Sequence, residues 1–418
     1  MSESARGGNP APPRRERLRG RLLVGQSGGP TVAINSSLVG IIHEALGYAE
    51  IEGIYGMRSG ILGGLREEFV DLGKENPATI EGLRYTPSAA LGSSRHKLTP
   101  NDYDRILQVF RAHNVRYLCL IGGNDSMDTA RRLEELGSTA GYELHVMGVP
   151  KTVDNDLVHT DHCPGYGSAA RFVALMVRDT SLDTIAGALS TPVKIVEIMG
   201  RQAGWLTAAA ALAKEGQEES PPDLIYVPER PFSIERFLAD VRQTCQERGR
   251  CVVALSEGVH DEAGNFFAAM SSATDAFGHR QLGGASVYLS QLVNDELGLK
   301  SRFEKSDTLQ RSMMVCSSPV DLNEAYMVGR MAIRHMMEGI SGKMVTLVRA
   351  PGPGYYCSSG LADLQQVAAA ERLLPDEYLD ERGHPTAAFI AYATPLLGGL
   401  LPPYTQLAGY PVPRLPGD

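Results

Sequence analysis

The chain reads as an α/β protein on mostly parallel sheets, divided into two doubly wound domains. Short apolar runs alternate with helix-length amphipathic stretches. Several of those runs end in glycine turns or acidic loops, the places where open α/β sheets bind ligands. At 418 residues the chain also exceeds what one core ordinarily fills, so two domains are expected.

Arg21-Leu22-Leu23-Val24 is the first expected strand, Gln26 to Pro30 a glycine turn, and Ala33 to Ala45 a helix. That unit suits a nucleotide or phosphate but carries neither the GxGxxG nor the GxxxxGK[ST] fingerprint, so a plain β-α turn fits equally well. The alternation continues with a strand at Ile51–Tyr55, a helix at Pro100–His113, a strand at Tyr117–Ile121, a helix at Ser126–Leu136 and a strand at Leu144–Val149. A second run has helices at Gly167–Ser181, Ala203–Lys214 and Ile234–Arg248 and strands at Val193–Met199, Leu224–Val227 and Cys251–Leu255. Pro221-Pro222 and Gly278 to Gly284 mark exposed loops. Ala387 to Leu401, broken by Thr394, Pro395 and Gly398-Gly399, suits packed loops better than a membrane span.

Composition excludes several classes. A formal charge of -9 leaves no basic excess for a general nucleic-acid binder. Cys119, Cys163, Cys245, Cys251, Cys316 and Cys357 show no paired metal-ligand spacing, so reduced core thiols in a cytoplasmic protein are expected. Residues 1–20, rich in Gly, Pro and Arg, lack both the apolar stretch of a secretory signal and an amphipathic face. They read as a disordered basic tail.

The chemistry concentrates in two stretches: Gly122-Gly123-Asn124-Asp125-Ser126 and Pro150-Lys151-Thr152-Val153-Asp154-Asn155-Asp156, each directly after an expected strand. Glycines admit a phosphate to backbone amides, Lys151 adds a compact charge, and carboxylates hold a divalent cation or take a proton. Asp154 and Asp156 read either as a base with a second carboxylate near a metal or as a turn bonded to its own backbone. Gly92-Ser93-Ser94-Arg95 and Met199-Gly200-Arg201 present arginines from small-residue turns, suited to bidentate phosphate contacts. Ser256-Glu257-Gly258 places a carboxylate where sugar hydroxyls could be bound, and Arg302 and Gln310-Arg311 add cations. Several such loops in one order point to a single phosphoryl-transfer site.

With those motifs in that order, the chain resembles the phosphofructokinase family from about Arg21 to about Arg372. The resemblance implies two doubly wound domains with the active site in the cleft between them. Residues 21–166 with about 310–361 would bind the phosphate donor, and residues 167–309 with about 362–418 fructose 6-phosphate. Asp154 would be the base for the C1 hydroxyl, with Lys151 and Asp125 also catalytic. Gly28, Arg95, Gly123, Asp125, Ser126 and Lys151 would line the donor site. Thr152, Val153, Asp154, Met199, Gly200, Arg201, Glu257, Thr308 and Arg311 would meet the sugar phosphate, with Arg302 reaching across from a neighbouring subunit. The implied assembly is a homodimer or homotetramer without membrane or nucleic-acid partners.

The family uses ATP or pyrophosphate. ATP users typically carry a glycine where this chain has Asp125, whose carboxylate would crowd and repel an α-phosphate. Lys151 resembles the lysine of pyrophosphate users, so pyrophosphate is the expected donor; an ATP-dependent enzyme and a non-catalytic sugar-phosphate-binding paralogue are the alternatives. Mg2+ is the implied cofactor, with Asn124 and Asp125 as its candidate ligands. Asn124 replaces the family's metal-associated aspartate, and Pro192 replaces an arginine for which Lys194 could substitute. Ser306-Asp307-Thr308 replaces a segment with a substrate-contacting ring.

Overall fold

The computed structural model describes residues 17–214, 219–267, 269–274, 280–282, 284–368, 370–405 and 407–412. Most of the tail expected over 1–20, and part of the 278–284 loop, lie outside them. The strands are β1 (Gly20–Gln26), β2 (Ile51–Met57), β3 (Phe69–Asp71), β4 (Val115–Gly122), β5 (His145–Pro150), β6 (Val193–Ile198), β7 (Leu224–Tyr226), β8 (Cys251–Ser256), β9 (Ala269–Thr274), β10 (Arg280–Leu282), β11 (Ser301–Lys305), β12 (Lys343–Arg349) and β13 (Cys357–Asp363).

Seven strands form the larger sheet in the order β13-β12-β5-β4-β1-β2-β3, and four form the smaller in the order β11-β6-β8-β7. The smaller sheet is parallel throughout; the larger is parallel except for antiparallel β3 and β13 at its edges. Its central strands β1, β4 and β5 are almost wholly buried, which is why they read as unbroken apolar runs. Edge strand β11 is Ser-Arg-Phe-Glu-Lys, mostly exposed, and gives no apolar signal.

The helices Ile34–Ala45 and Pro319–Met337 cross so closely that side chains at the contact are excluded. A Cβ on Gly40 would fall 2.2 Å from the Tyr326 carbonyl oxygen, and one on Gly329 2.1 Å from that of Ser37. The helix Tyr166–Gly187 joins the two halves. The buried Asp321 carboxylate accepts N–H bonds from Gly165 (2.7 Å) and Ser168 (3.2 Å) at its start.

Two expectations are corrected. The helix expected over Ala203–Lys214 is a short α-helix, Trp205–Ala208, that tightens into a 3-10 helix over Ala209–Lys214. Every residue from Trp205 to Ala213 is buried, so packing on all sides sets its course. Ala387–Leu401 is not all loop: Ala387–Ala393 is helical and Thr394–Leu397 a 3-10 turn, with Phe389, Tyr392 and Leu396 packed into the core around Trp205. Among the described residues no helix is long and apolar enough to cross a membrane. All six cysteines are free, as expected.

Behind the loop after β5, His162 is 1 % exposed and bonded on both ring nitrogens, Nδ1 to Asp161 (2.8 Å) and Nε2 to Glu324 (2.7 Å). Burial works against its charge, but the two carboxylates prevail and its pKa is raised above 6.5. A raised folded pKa gives stability that is fully present below the unfolded value and is lost as pH rises through the folded one. The stability difference between wild type and His162→Gln in urea unfolding is therefore expected to shrink as pH rises above 6.5. A difference that stays constant or grows would show His162 to be neutral in the folded protein.

Candidate active site

The carboxyl ends of β1, β4 and β5 face those of β6 and β8 across a cleft of about 290 Å³. Ser27 to Gly29, Gly123 to Ser126 and the loop from Lys151 to Asp156 form one wall. Met199, Arg201 to Ala203 and Glu257 form the other, with Arg95, Arg311 and Glu371 at the margins. Ser93 fixes the arginine loop by donating its hydroxyl to the Gly28 carbonyl (2.6 Å). Gln310 accepts the Met199 N–H (3.0 Å), and the Arg311 carbonyl accepts the Val32 N–H (2.9 Å), so one short helix touches both walls.

Lys151 is buried and donates its ammonium to the Gly29 carbonyl at 2.8 Å. A Cβ on Gly29 would lie 2.3 Å from Arg311 Nη1, so any side chain there would displace that guanidinium. Burial first, then the Arg311 charge, pulls the Lys151 pKa down to about 8, with Asp154 and Asp156 resisting. Asp154 moves the other way: burial, Asp156 and Glu257 push it up to about 7 against Lys151 and Arg201. Burial also raises Asp156 and Glu257.

Several buried polar atoms lack partners among the described residues. Arg201 Nε finds no acceptor, which suits an incoming anion. Asn124 Nδ2 donates to Asp156 Oδ2 (3.2 Å), leaving Asn124 Oδ1 and Asp156 Oδ1 buried without a donor. Unpaired oxygens on two hydrogen-bonded side chains suit a hard divalent cation. Asp125, one residue on, is exposed in the first turn of the helix Asn124–Thr139.

Of the residues expected at the site, Gly28, Arg95, Gly123, Asn124, Asp125, Ser126, Lys151, Thr152, Val153, Asp154, Met199, Arg201, Glu257 and Arg311 all line the cleft. Gly200 sits just behind, its N–H on Glu257 Oε1 at 3.3 Å. Arg302 and Thr308 are exposed and do not line it. Arg302 instead shares a second hollow with Lys194, Asp183 and Thr191, so Lys194 does not serve this chain's own cleft. The motifs did not single out Gln202, whose side-chain amide faces the Glu371 carboxylate, or Glu371 itself. Gln202 directly follows Met-Gly-Arg, a signal that could have found it. Glu371 enters only through its pairing with Leu157, and no local pattern announces that.

An α/β protein with a cation-lined cleft at its strand ends and a half-buried carboxylate of raised proton affinity has the makings of a phosphoryl transferase. The chain belongs to the phosphofructokinase family, whose model matches residues 21–334. It is 44 % identical over 390 residues to the pyrophosphate–fructose 6-phosphate 1-phosphotransferase of Xanthomonas campestris pv. campestris, covering 92 % of this chain and 93 % of that one. It is 38 % identical to a sulfofructose kinase of Alkalicoccus urumqiensis, covering 87 % and 92 %. The crystal structure of a pyrophosphate-dependent phosphofructokinase from Marinobacter aquaeolei superposes with a TM-score of 0.83 at 38 % identity, covering 92 % of this chain and 94 % of that one.

The Lys151 pKa of about 8 has a direct consequence for anion binding. Inorganic phosphate binding, followed by calorimetry, is expected to weaken as pH rises through about 8 in wild type. It should be weak and flat over that range in Lys151→Met.

Proposed function

We propose that this protein transfers a phosphoryl group from pyrophosphate to the C1 hydroxyl of fructose 6-phosphate, giving fructose 1,6-bisphosphate and phosphate. The observation that carries this reading is one cleft holding a half-buried carboxylate, Asp154, among cations supplied by both walls, with Asp125 beside the donor turn. The reaction is reversible because the pyrophosphate bond and the sugar ester are closer in energy than ATP and the ester.

Asp154 takes the hydroxyl proton; its raised affinity matches a base working near neutrality. Lys151, Arg95 and Arg201 neutralise the donor and the transferring group, which suits a reaction that needs positioning and charge compensation more than covalent help. Gly28, Gly123 and Ser126 shape the donor turn. Thr152, Val153, Met199, Gly200, Glu257 and Arg311 orient the sugar phosphate. Mg2+ would be held by Asn124 Oδ1 and Asp156 Oδ1, the unpaired oxygens, and would supply charge neutralisation on the pyrophosphate oxygens. Arg302, on an exposed edge strand, would reach a neighbour's 6-phosphate in a homodimer or homotetramer, with Thr308 at the same end of the chain's late segment. The family resemblance and the lack of a spanning helix among the described residues support a cytoplasmic location.

Fructose 1,6-bisphosphate formation by purified protein with each donor tests the reading. Turnover with pyrophosphate and Mg2+, and little with ATP, is expected; robust turnover from ATP alone would sink it. Asp125→Gly is expected to improve kcat/KM for ATP by at least about tenfold, since juxtaposed like charges cost several kcal/mol. An unchanged value would mean that another group excludes ATP. Asp154→Ser should lower kcat by about 10²–10⁴-fold with KM for fructose 6-phosphate nearly unchanged. In wild type, kcat/KM should rise with pH through about 7 as Asp154 ionises and fall through about 8 as Lys151 loses its proton. Asp154→Ser should lose the lower limb.

A further inference from the structure

We propose that Arg372 is a positioning residue of the transfer, clamping the turn that carries Asp154 and Asp156 onto the loop that carries Arg201. The inference rests on the phosphotransferase reading and concerns a segment outside the residues 21–334 that the family model matches.

The turn after β5 leaves the sheet and bends sharply. Asn155 adopts φ 57°, in the left-handed region that side chains usually avoid, and the adjacent carboxylates owe their direction to that bend. One guanidinium meets three of its carbonyls, sharing that of Asp161 with the Tyr392 hydroxyl (2.9 Å). Arg372 Nη2 and Nε donate to the Asn155 carbonyl at 2.8 and 3.2 Å, and Nη1 donates to those of Thr160 (2.7 Å) and Asp161 (2.6 Å). The Arg372 backbone N–H adds a bond to the Asp156 carbonyl at 2.7 Å. A planar fork of donors can span three carbonyls; an ammonium cannot.

The same residue grips the opposite wall. Its guanidinium carbon lies 4.5 Å from the centroid of Trp205, and its carbonyl accepts the Trp205 Nε1–H at 3.0 Å. Glu229 Oε1 ties this segment to the Arg201 loop by accepting N–H bonds from Gly204 (2.7 Å) and Leu374 (2.9 Å). Arg372 therefore connects the loop beyond β6 to the loop beyond β5, on which the separation of Arg201 from Asp154 depends.

The test compares Arg372→Lys and Arg372→Gln with wild type in steady-state kinetics, with thermal melts as a folding check. Arg372→Lys keeps the charge but not the fork, and is expected to lower kcat about 10- to 100-fold with both KM values within about threefold, as for a reacting group displaced by about 1 Å. Arg372→Gln should lose at least as much. Either variant retaining kcat within about twofold overturns the proposal. If Arg372→Gln does not fold, Arg372→Lys decides by the split between kcat and KM. The variants are assayed with whichever donor the wild type turns over, so an error about pyrophosphate and an error about Arg372 show separately.

Discussion

The buried charge at the end of β5 is the constraint to which the rest of this structure answers. An ammonium and two carboxylates, from Lys151, Asp154 and Asp156, lie within six residues, the first buried and the other two half-buried. Such groups are tolerable only when opposite charges and hydrogen bonds replace the lost solvation. The close glycine turn that brings the Gly29 carbonyl to Lys151 Nζ is one reply to that demand. The arginines that converge from distant parts of the chain are another. Burial outweighs these replies, and the shortfall lifts one carboxylate and lowers one amine toward neutral pH.

Asn124 acquires a physical meaning in this setting. As a sequence position it is a departure from the family pattern that weakens the case for a metal. In the structure its amide donates to Asp156, where an aspartate would set a second carboxylate against the first. The amide leaves one oxygen unpaired, as is one oxygen of Asp156, and the pair carries less self-repulsion than two carboxylates would. Asp156, more than Asp125, is the carboxylate that shares this corner.

The central fold was legible because β1, β4, β5, β6 and β8 are buried on both faces and write themselves as apolar runs closed by glycine or acidic turns. The reading assigned no elements to the region holding β11, the helix Pro319–Met337, β12 and β13. β11 is charged and exposed, while the helix crosses its neighbour at Gly329, whose close approach to Ser37 no local pattern announces. Within the site, the motif residues were legible because phosphate chemistry demands glycines, cations and carboxylates in short runs. Glu371 and Arg372 carry no such local demand, since their partners lie more than 150 residues away in the chain.

The sequence by itself determined the parallel α/β plan, the strand ends at which the chemistry sits and the choice of charged residues in each loop. Period, burial and turn chemistry are local properties that a short window records. The tertiary structure alone decided which loops face each other, which buried charges shift in proton affinity, and that a late segment holds the Asp154 turn against Trp205. Those outcomes depend on distances of a few ångströms between residues remote in the chain, and desolvation and Coulomb energies follow distance in space.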